Sequence, residues 1–161
     1  MPRPIRDHLH RLANVWIKHP VYFITLCTDG RRQRLAQVPA AEILISAWRD
    51  SPKIHGWAVG RFVIMPDHVH FFASPGSGAK SLSAFIRDWK KWTTRRLHAG
   101  GLAPPIVWQT EFFDHVLRSA DSYEEKWFYV RENPVRAGHA ACAEAWPYAG
   151  EGERLSFRPS A

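Results

Sequence analysis

Two apolar runs, 57–64 and 68–73, stand three residues apart across Met65-Pro66-Asp67, and no other feature restricts the possible folds of this chain as much. Both are rich in β-branched and aromatic residues, and the Pro-Asp pair signals a turn, so the stretch reads as two adjacent strands. The second strand opens with His68-Val69-His70. Strand side chains alternate, so the two imidazoles share one face and Val69 takes the other. Two imidazoles on one face of a rigid element make a ready pair of metal ligands. An isolated His-x-His is also a common surface feature, but titratable groups within an apolar strand need partners.

The flanking segments supply the rest of the order. The run 21–28 reads as a strand, ended by Asp29-Gly30 and the basic Arg31-Arg32. Helical spacing over 39–49 sets Ile43 above Ala47 and Leu44 above Trp48, with Pro39 suited to the first turn. After the loop Pro75-Gly-Ser-Gly, a long helix is predicted over 80–98, with Leu82, Phe85, Ile86, Trp89 and Thr93 as its buried stripe. Gly100-Gly101 stops it, and Ala103-Pro-Pro is a linker. A less regular strand lies within 107–118. Asp121-Ser122, with Glu124 and Glu125 behind, opens a last helix that runs to about Asn133, where Pro134 ends it. The resulting β-α-β-β-α-β-α order predicts an α+β fold, a ferredoxin-like β-α-β-β-α-β unit with an antiparallel sheet and a C-terminal helix laid against it. One domain over 1–161 is expected, with 1–19 as an N-terminal arm and 146–161 as an extended tail.

With 161 residues, 45% hydrophobic, eight Trp and nine Phe, the chain is long and apolar enough for a substantial core. Its net charge of +7 favours an anionic partner, and nucleic acid stands ahead of membrane because no basic amphipathic anchor is visible. No run approaches the ~18 apolar residues of a membrane span, and the N-terminus has no apolar signal core, so a cytoplasmic, nucleoid-associated protein is expected. Cys27 and Cys142 match no thiolate metal motif and are expected as small buried residues in a reducing compartment.

The last helix holds the second half of the chemistry. Tyr129 and Asn133 are i and i+4, so they share a helical face. A tyrosine oxygen can attack phosphorus and form a covalent phosphotyrosine, and an asparagine carbonyl is an acceptable ligand for a hard divalent cation. The plainer alternatives are a core aromatic beside Trp127 and Phe128, and a helix-capping asparagine. A cation held by His68, His70 and Asn133 would lie close to the Tyr129 hydroxyl and leave positions open for phosphate oxygens, which is the minimum apparatus for breaking a phosphodiester. A zinc hydrolase would need His115 or Glu132 as a third ligand. Tyr22, Tyr123 and Tyr148 are expected to be structural. For DNA contact, Arg87, Lys91 and Arg95 are spaced by four along the 80–98 helix, and Arg31, Arg32 and Arg34 form a second basic cluster, with Arg31 and Arg32 the candidates within it.

Met65-Pro-Asp-His68-Val-His70 resembles the HUH motif of single-tyrosine, IS200-like transposases. Asn133-Pro-Val-Arg-Ala-Gly138, four residues after a tyrosine, resembles the matching block of the REP-associated tyrosine transposases. The resemblance runs from about Val21 to Tyr148 and takes in Trp108-Gln, Phe113-Asp-His-Val-Leu-Arg118 and Trp146-Pro-Tyr148. Asp67 stands where family members often carry Asn. The resemblance implies a Mg²⁺- or Mn²⁺-dependent enzyme that cuts and rejoins single-stranded DNA beside hairpins, without a nucleotide cofactor. By the same analogy His68, His70 and Asn133 hold the metal, and Tyr129 forms a 5′-phosphotyrosine while a 3′-OH is released. Either a monomer working in cis or a homodimer exchanging the tyrosine helix is compatible with it. The alternative is a hairpin-binding protein without catalysis.

Overall fold

Strand alternation decides which helix covers which face of the sheet. In a computed structural model, which describes residues 20–102 and 106–157, strands β1 (Val21–Cys27), β2 (Trp57–Ile64), β3 (His68–Pro75), β4 (Phe113–Leu117) and β5 (Ala149–Glu151) form one antiparallel sheet in the order β4-β1-β3-β2-β5. The first four reproduce the ferredoxin-like arrangement, and the α+β fold stands as expected. The expected arm over 1–19, the linker Ala103-Pro-Pro and the last four residues of the tail lie outside the described residues.

Tyr22, Ile24 and Leu26 of β1 and Val69, Phe71 and Ala73 of β3 point into the larger core, under helices α1 (Val38–His55) and α2 (Leu82–Ala99). Trp48 of α1 stacks on Trp89 of α2 with ring centroids 5.4 Å apart. Helix α2 starts at Ser81, whose side chain accepts from the Ala84 N–H at 3.2 Å. Its predicted buried stripe is observed, extended by Leu97. The opposite sheet face carries Val21, Phe23, Val63, Met65 and Phe72 in a second core, under helix α3 (Ala120–Arg131) with its inward Tyr123, Trp127 and Val130. The alternation that buries Phe72 projects His70 and His68 toward this second face, at its end.

The structure departs most from the sequence-based boundaries in four places. Helix α1 runs six residues past 49, through Pro52. One ladder bond is lost there, but buried Ser51 bonds the Ala47 carbonyl at 2.8 Å, and buried His55 packs on Phe85. Gly56, in the left-handed conformation at φ 78°, then closes the helix on the Pro52 carbonyl. Helix α3 is capped by Ser119, which accepts from the Ser122 N–H at 3.1 Å; Asp121 and Ser122 lie inside the first turn. The last helix breaks at Glu132 and restarts as α4 (Asn133–Arg136), because Pro134 has no N–H to continue the ladder and fits only a first turn. The tail from 146 is extended, but its Ala149–Glu151 segment pairs with β2 as a fifth strand.

Two features hold α3 to the sheet. Arg61 lies over the Tyr123 and Trp127 rings and bonds Glu124 at 2.9 Å and Glu151 at 3.4 Å. Gly60, at a register shift in β2, leaves room for Leu155 of the tail; a Cβ there would stand 2.8 Å from Leu155 Cγ. Cys27 is half-buried and Cys142 is exposed, so the expected burial of the second cysteine is not observed: it lies in the loop beyond α4.

Candidate metal centre and nucleophile

Register places the two histidines among residues that fix their rings. Thr25 is opposite His70 and Cys27 is opposite His68. Thr25 Oγ1 lies 2.8 Å from His70 Nδ1, and Asp67 Oδ1 lies 2.7 Å from His68 Nδ1. Asp67 is itself held by Arg31, whose Nε donates to Oδ2 at 2.8 Å. Asn133, 63 residues further along the chain, brings its Nδ2 to 2.9 Å from His70 Nε2 and 3.5 Å from His68 Nε2.

With the Asn133 amide nitrogen facing the rings, these contacts are consistent with one arrangement of protons. A carboxylate only accepts, so His68 carries its proton on Nδ1 and leaves the Nε2 lone pair free. His70 Nε2 accepts from the Asn133 amide, so His70 Nδ1 is protonated and donates to Thr25. Both Nε2 lone pairs therefore point at Asn133. Burial is the largest influence on both rings. It pulls His68 below the ordinary histidine value against the opposing pull of Asp67. His70 falls to about 3, the charges of His68, Lys126, Arg136 and Arg31 adding to burial. Burial raises the Asp67 carboxyl, but its bonds and charge contacts with His68 and Arg31 outweigh that and hold it below the usual carboxylate range.

The set fits a divalent cation. Turning the Asn133 amide over would replace its donor with Oδ1, and two imidazole lone pairs and a carbonyl oxygen would then converge. Three such acceptors repel one another unless a cation lies between them. Among the described residues no group of three His, Cys, Asp or Glu could hold a metal, so the alternative using His115 or Glu132 as third ligand has no support. His115 instead lines a hollow with Lys126 and Tyr129.

Tyr129 is 63% exposed and Phe128 is 59% exposed, which removes the reading of Tyr129 as a core aromatic. Their neighbours Trp127 and Val130 face the second core. Two cations bracket the Tyr129 ring: the Arg136 guanidinium at 4.1 Å from its centroid and the Lys126 ammonium at 6.0 Å. Lys126 also sits 4.7 Å over Phe23, whose ring stacks on His70 at 5.3 Å. Tyr129 and the histidines are thus joined through Lys126 and Phe23 on one side and through the helix leading to Asn133 on the other, all within one chain. Tyr22 and Tyr123 are buried, each pushed up to about 12, chiefly by burial.

The expected DNA contacts divide. Arg31 is engaged by Asp67 and also donates to Cys27 Sγ at 2.9 Å, so it supports the site from behind. Arg32 is exposed, and Arg87, Lys91 and Arg95 line one exposed face of α2. Spacing alone missed Thr25, Lys126 and Arg136. Thr25 had a visible signal, since it is a polar residue in the apolar alternation Phe23-Thr25-Cys27. Arg136 stands in the quoted Asn133-to-Gly138 block.

The chain matches the family described as "Transposase IS200 like" over residues 14–132, a span that includes both histidines and Tyr129 and ends one residue before Asn133. It is 29% identical over 137 residues to the REP-associated tyrosine transposase of Escherichia coli strain K12, covering 83% of this chain and 77% of that protein. The fold is also that of a solved REP-associated tyrosine transposase bound to a REP hairpin, with a TM-score of 0.68 and 22% identity over 92% of this chain and 96% of the other.

Proposed function

The chain belongs to the IS200-like transposase family, and from that premise we propose that it cleaves and rejoins single-stranded DNA beside hairpins through a 5′-phosphotyrosine at Tyr129, with Mg²⁺ or Mn²⁺ held by His68, His70 and Asn133. The observation that carries this reading is the placement of the Asn133 amide against both Nε2 atoms, one turn after an exposed tyrosine. A bound divalent cation would withdraw charge from a phosphoryl oxygen and help orient the phosphate.

The chain's own residues do the rest. Asp67 and Thr25 hold the imidazoles in the tautomer that leaves Nε2 available. Lys126 and Arg136 present positive charge beside Tyr129, where an incoming phosphate gains from it. The Tyr129 hydroxyl gives up its proton to solvent as its oxygen attacks phosphorus, the bond from phosphorus to O3′ breaks, and the released O3′ takes up a proton from solvent. Rejoining reverses this: a 3′-OH attacks the phosphotyrosine, and the tyrosine oxygen leaves. No helix among the described residues is long and apolar enough to cross a membrane.

The test is a labelled hairpin oligonucleotide with a single-stranded flank, incubated with Mg²⁺ or Mn²⁺ and resolved under denaturing conditions. Wild type should give a protein–DNA adduct, and Tyr129→Phe should give none while still binding the hairpin. Equal adduct from both would remove Tyr129 as the nucleophile. Tight binding with no adduct from wild type would leave the non-catalytic binding protein.

A further inference from the structure

A hollow of about 670 Å³ opens between α2 and the segment 106–112, on the sheet face opposite the histidines. Its floor is apolar, made by Ile86, Trp108 and Phe112, and Val107, 54% exposed, forms its lip. Along its rim run Arg87, Lys91 and Arg95. Arg87 is shared with Asp88 at 3.1 Å, but among the described residues Lys91 and Arg95 have no ion-pair partner, and no carboxylate lines the hollow. We infer that this hollow takes an unpaired nucleobase from the single strand that enters the active site, with the strand's phosphates on Lys91 and Arg95. The inference rests on the DNA-processing reading and assigns that reading a base-binding subsite.

The chemistry matches a nucleotide on both counts. An apolar floor beside unpaired cations suits a ligand that joins a flat, poorly hydrated body to an anionic linker. A neutral lipid or an apolar peptide would use the floor and leave Lys91 and Arg95 without partners. The wall is also preformed. The Lys90 ammonium donates to the carbonyls of Gln109 at 2.6 Å and Thr110 at 3.1 Å, which holds the wall segment against α2 with no ligand needed.

The same wall connects to the metal centre. Trp108 bridges to Thr28, the Gln109 N–H bonds the Cys27 carbonyl at 2.8 Å, and the Asp29 N–H bonds the Val107 carbonyl at 2.7 Å. The Thr28 N–H in turn bonds the Asp67 carbonyl at 2.9 Å, next to His68. The hollow and the histidines therefore share the same end of the sheet on opposite faces. A strand crossing that end, past exposed Arg32, would set one base in the hollow and a phosphate a few nucleotides away at Tyr129.

The test uses the full chain and hairpins that carry 2-aminopurine at successive flank positions, with a blunt hairpin of the same stem as control. Wild type should change the fluorescence at one flank position. Val107→Asp puts a carboxylate on the exposed lip without touching the core; it should abolish that signal and weaken the flanked hairpin about tenfold, the order of one lost base contact. Its affinity for the blunt hairpin should stay as in wild type. Lys91→Ala with Arg95→Ala should flatten the log–log salt dependence for the flanked hairpin by about 1.4, at roughly 0.7 per single-strand phosphate contact. Equal weakening of both hairpins by Val107→Asp, or persistence of the fluorescence change in it, overturns the subsite. A wild type that forms the Tyr129 adduct but changes no flank position sinks the subsite alone, whereas one that binds neither hairpin sinks the DNA-processing reading with it.

Discussion

Thr25→Val isolates the tautomer of His70 from every other property of the site. The two side chains share a β-branched shape and differ at one atom, the oxygen 2.8 Å from His70 Nδ1. Two losses follow. The first is one neutral hydrogen bond in a half-buried place, about 1 kcal/mol of folding stability. The second is orientation. Without an acceptor at Nδ1, the ring proton is no longer held away from Nε2, and a ring protonated at Nε2 has no lone pair for a cation. Removing such a supporting bond typically lowers metal affinity by about 10- to 100-fold.

The two losses separate experimentally. Urea unfolding in EDTA reads the first, and calorimetric or paramagnetic titration with Mn²⁺ at pH 7.5 reads the second. A drop of about 1 kcal/mol together with a tenfold or larger loss of Mn²⁺ affinity is expected. A stability loss with unchanged Mn²⁺ affinity would refute the reasoning, since Thr25 would then brace the strand without setting the imidazole. Unchanged values in both would show that the bond is replaced by water.

Two further outcomes follow from burial. His70 titrates near 6.5 unfolded and near 3 folded, so the stability from its neutral form is complete above pH 6.5 and drains as the pH falls toward 3. At pH 5 the metal-free protein should have lost about 2 kcal/mol through this group, at about 1.36 per pH unit; urea titrations at pH 7 and 5 should show that extra loss in wild type and not in His70→Phe. Gly60→Ala would force Leu155 off β2, and overpacking of this kind costs about 1–3 kcal/mol; thermal unfolding should show it, and an unchanged Tm would mean that the tail does not clamp α3.

The elements that were legible in the sequence are those with strong periodicity. Alternation in 68–73 put both histidines on one face, a property of a single strand that needs no partner; i,i+4 spacing put Asn133 one turn beyond Tyr129 but did not show the break at Glu132 that sets them in separate helices. What spacing could not supply is register. Thr25 meets His70 because β1 pairs with β3 as Thr25↔His70, a fact fixed by the packing of both strands and 45 residues distant in sequence. Lys126 was equally hidden, since its position over Phe23 depends on how α3 is rotated on the sheet.

The rotation of α3 also explains how a single helical stretch serves two purposes. Tyr123, Trp127 and Val130 occupy the inward stripe, so Tyr129 must point outward into solvent. Asn133 on an unbroken helix would follow Tyr129 within about 40° of rotation and share much of that outward direction. The break at Glu132, forced by the missing N–H of Pro134, lets α4 restart with Asn133 as its first residue and its amide on the histidines. The Asn-Pro pair therefore does more than end a helix. It separates the direction of the solvent-facing Tyr129 from that of the half-buried Asn133 four residues later, a division that a continuous run of good helix formers could not make.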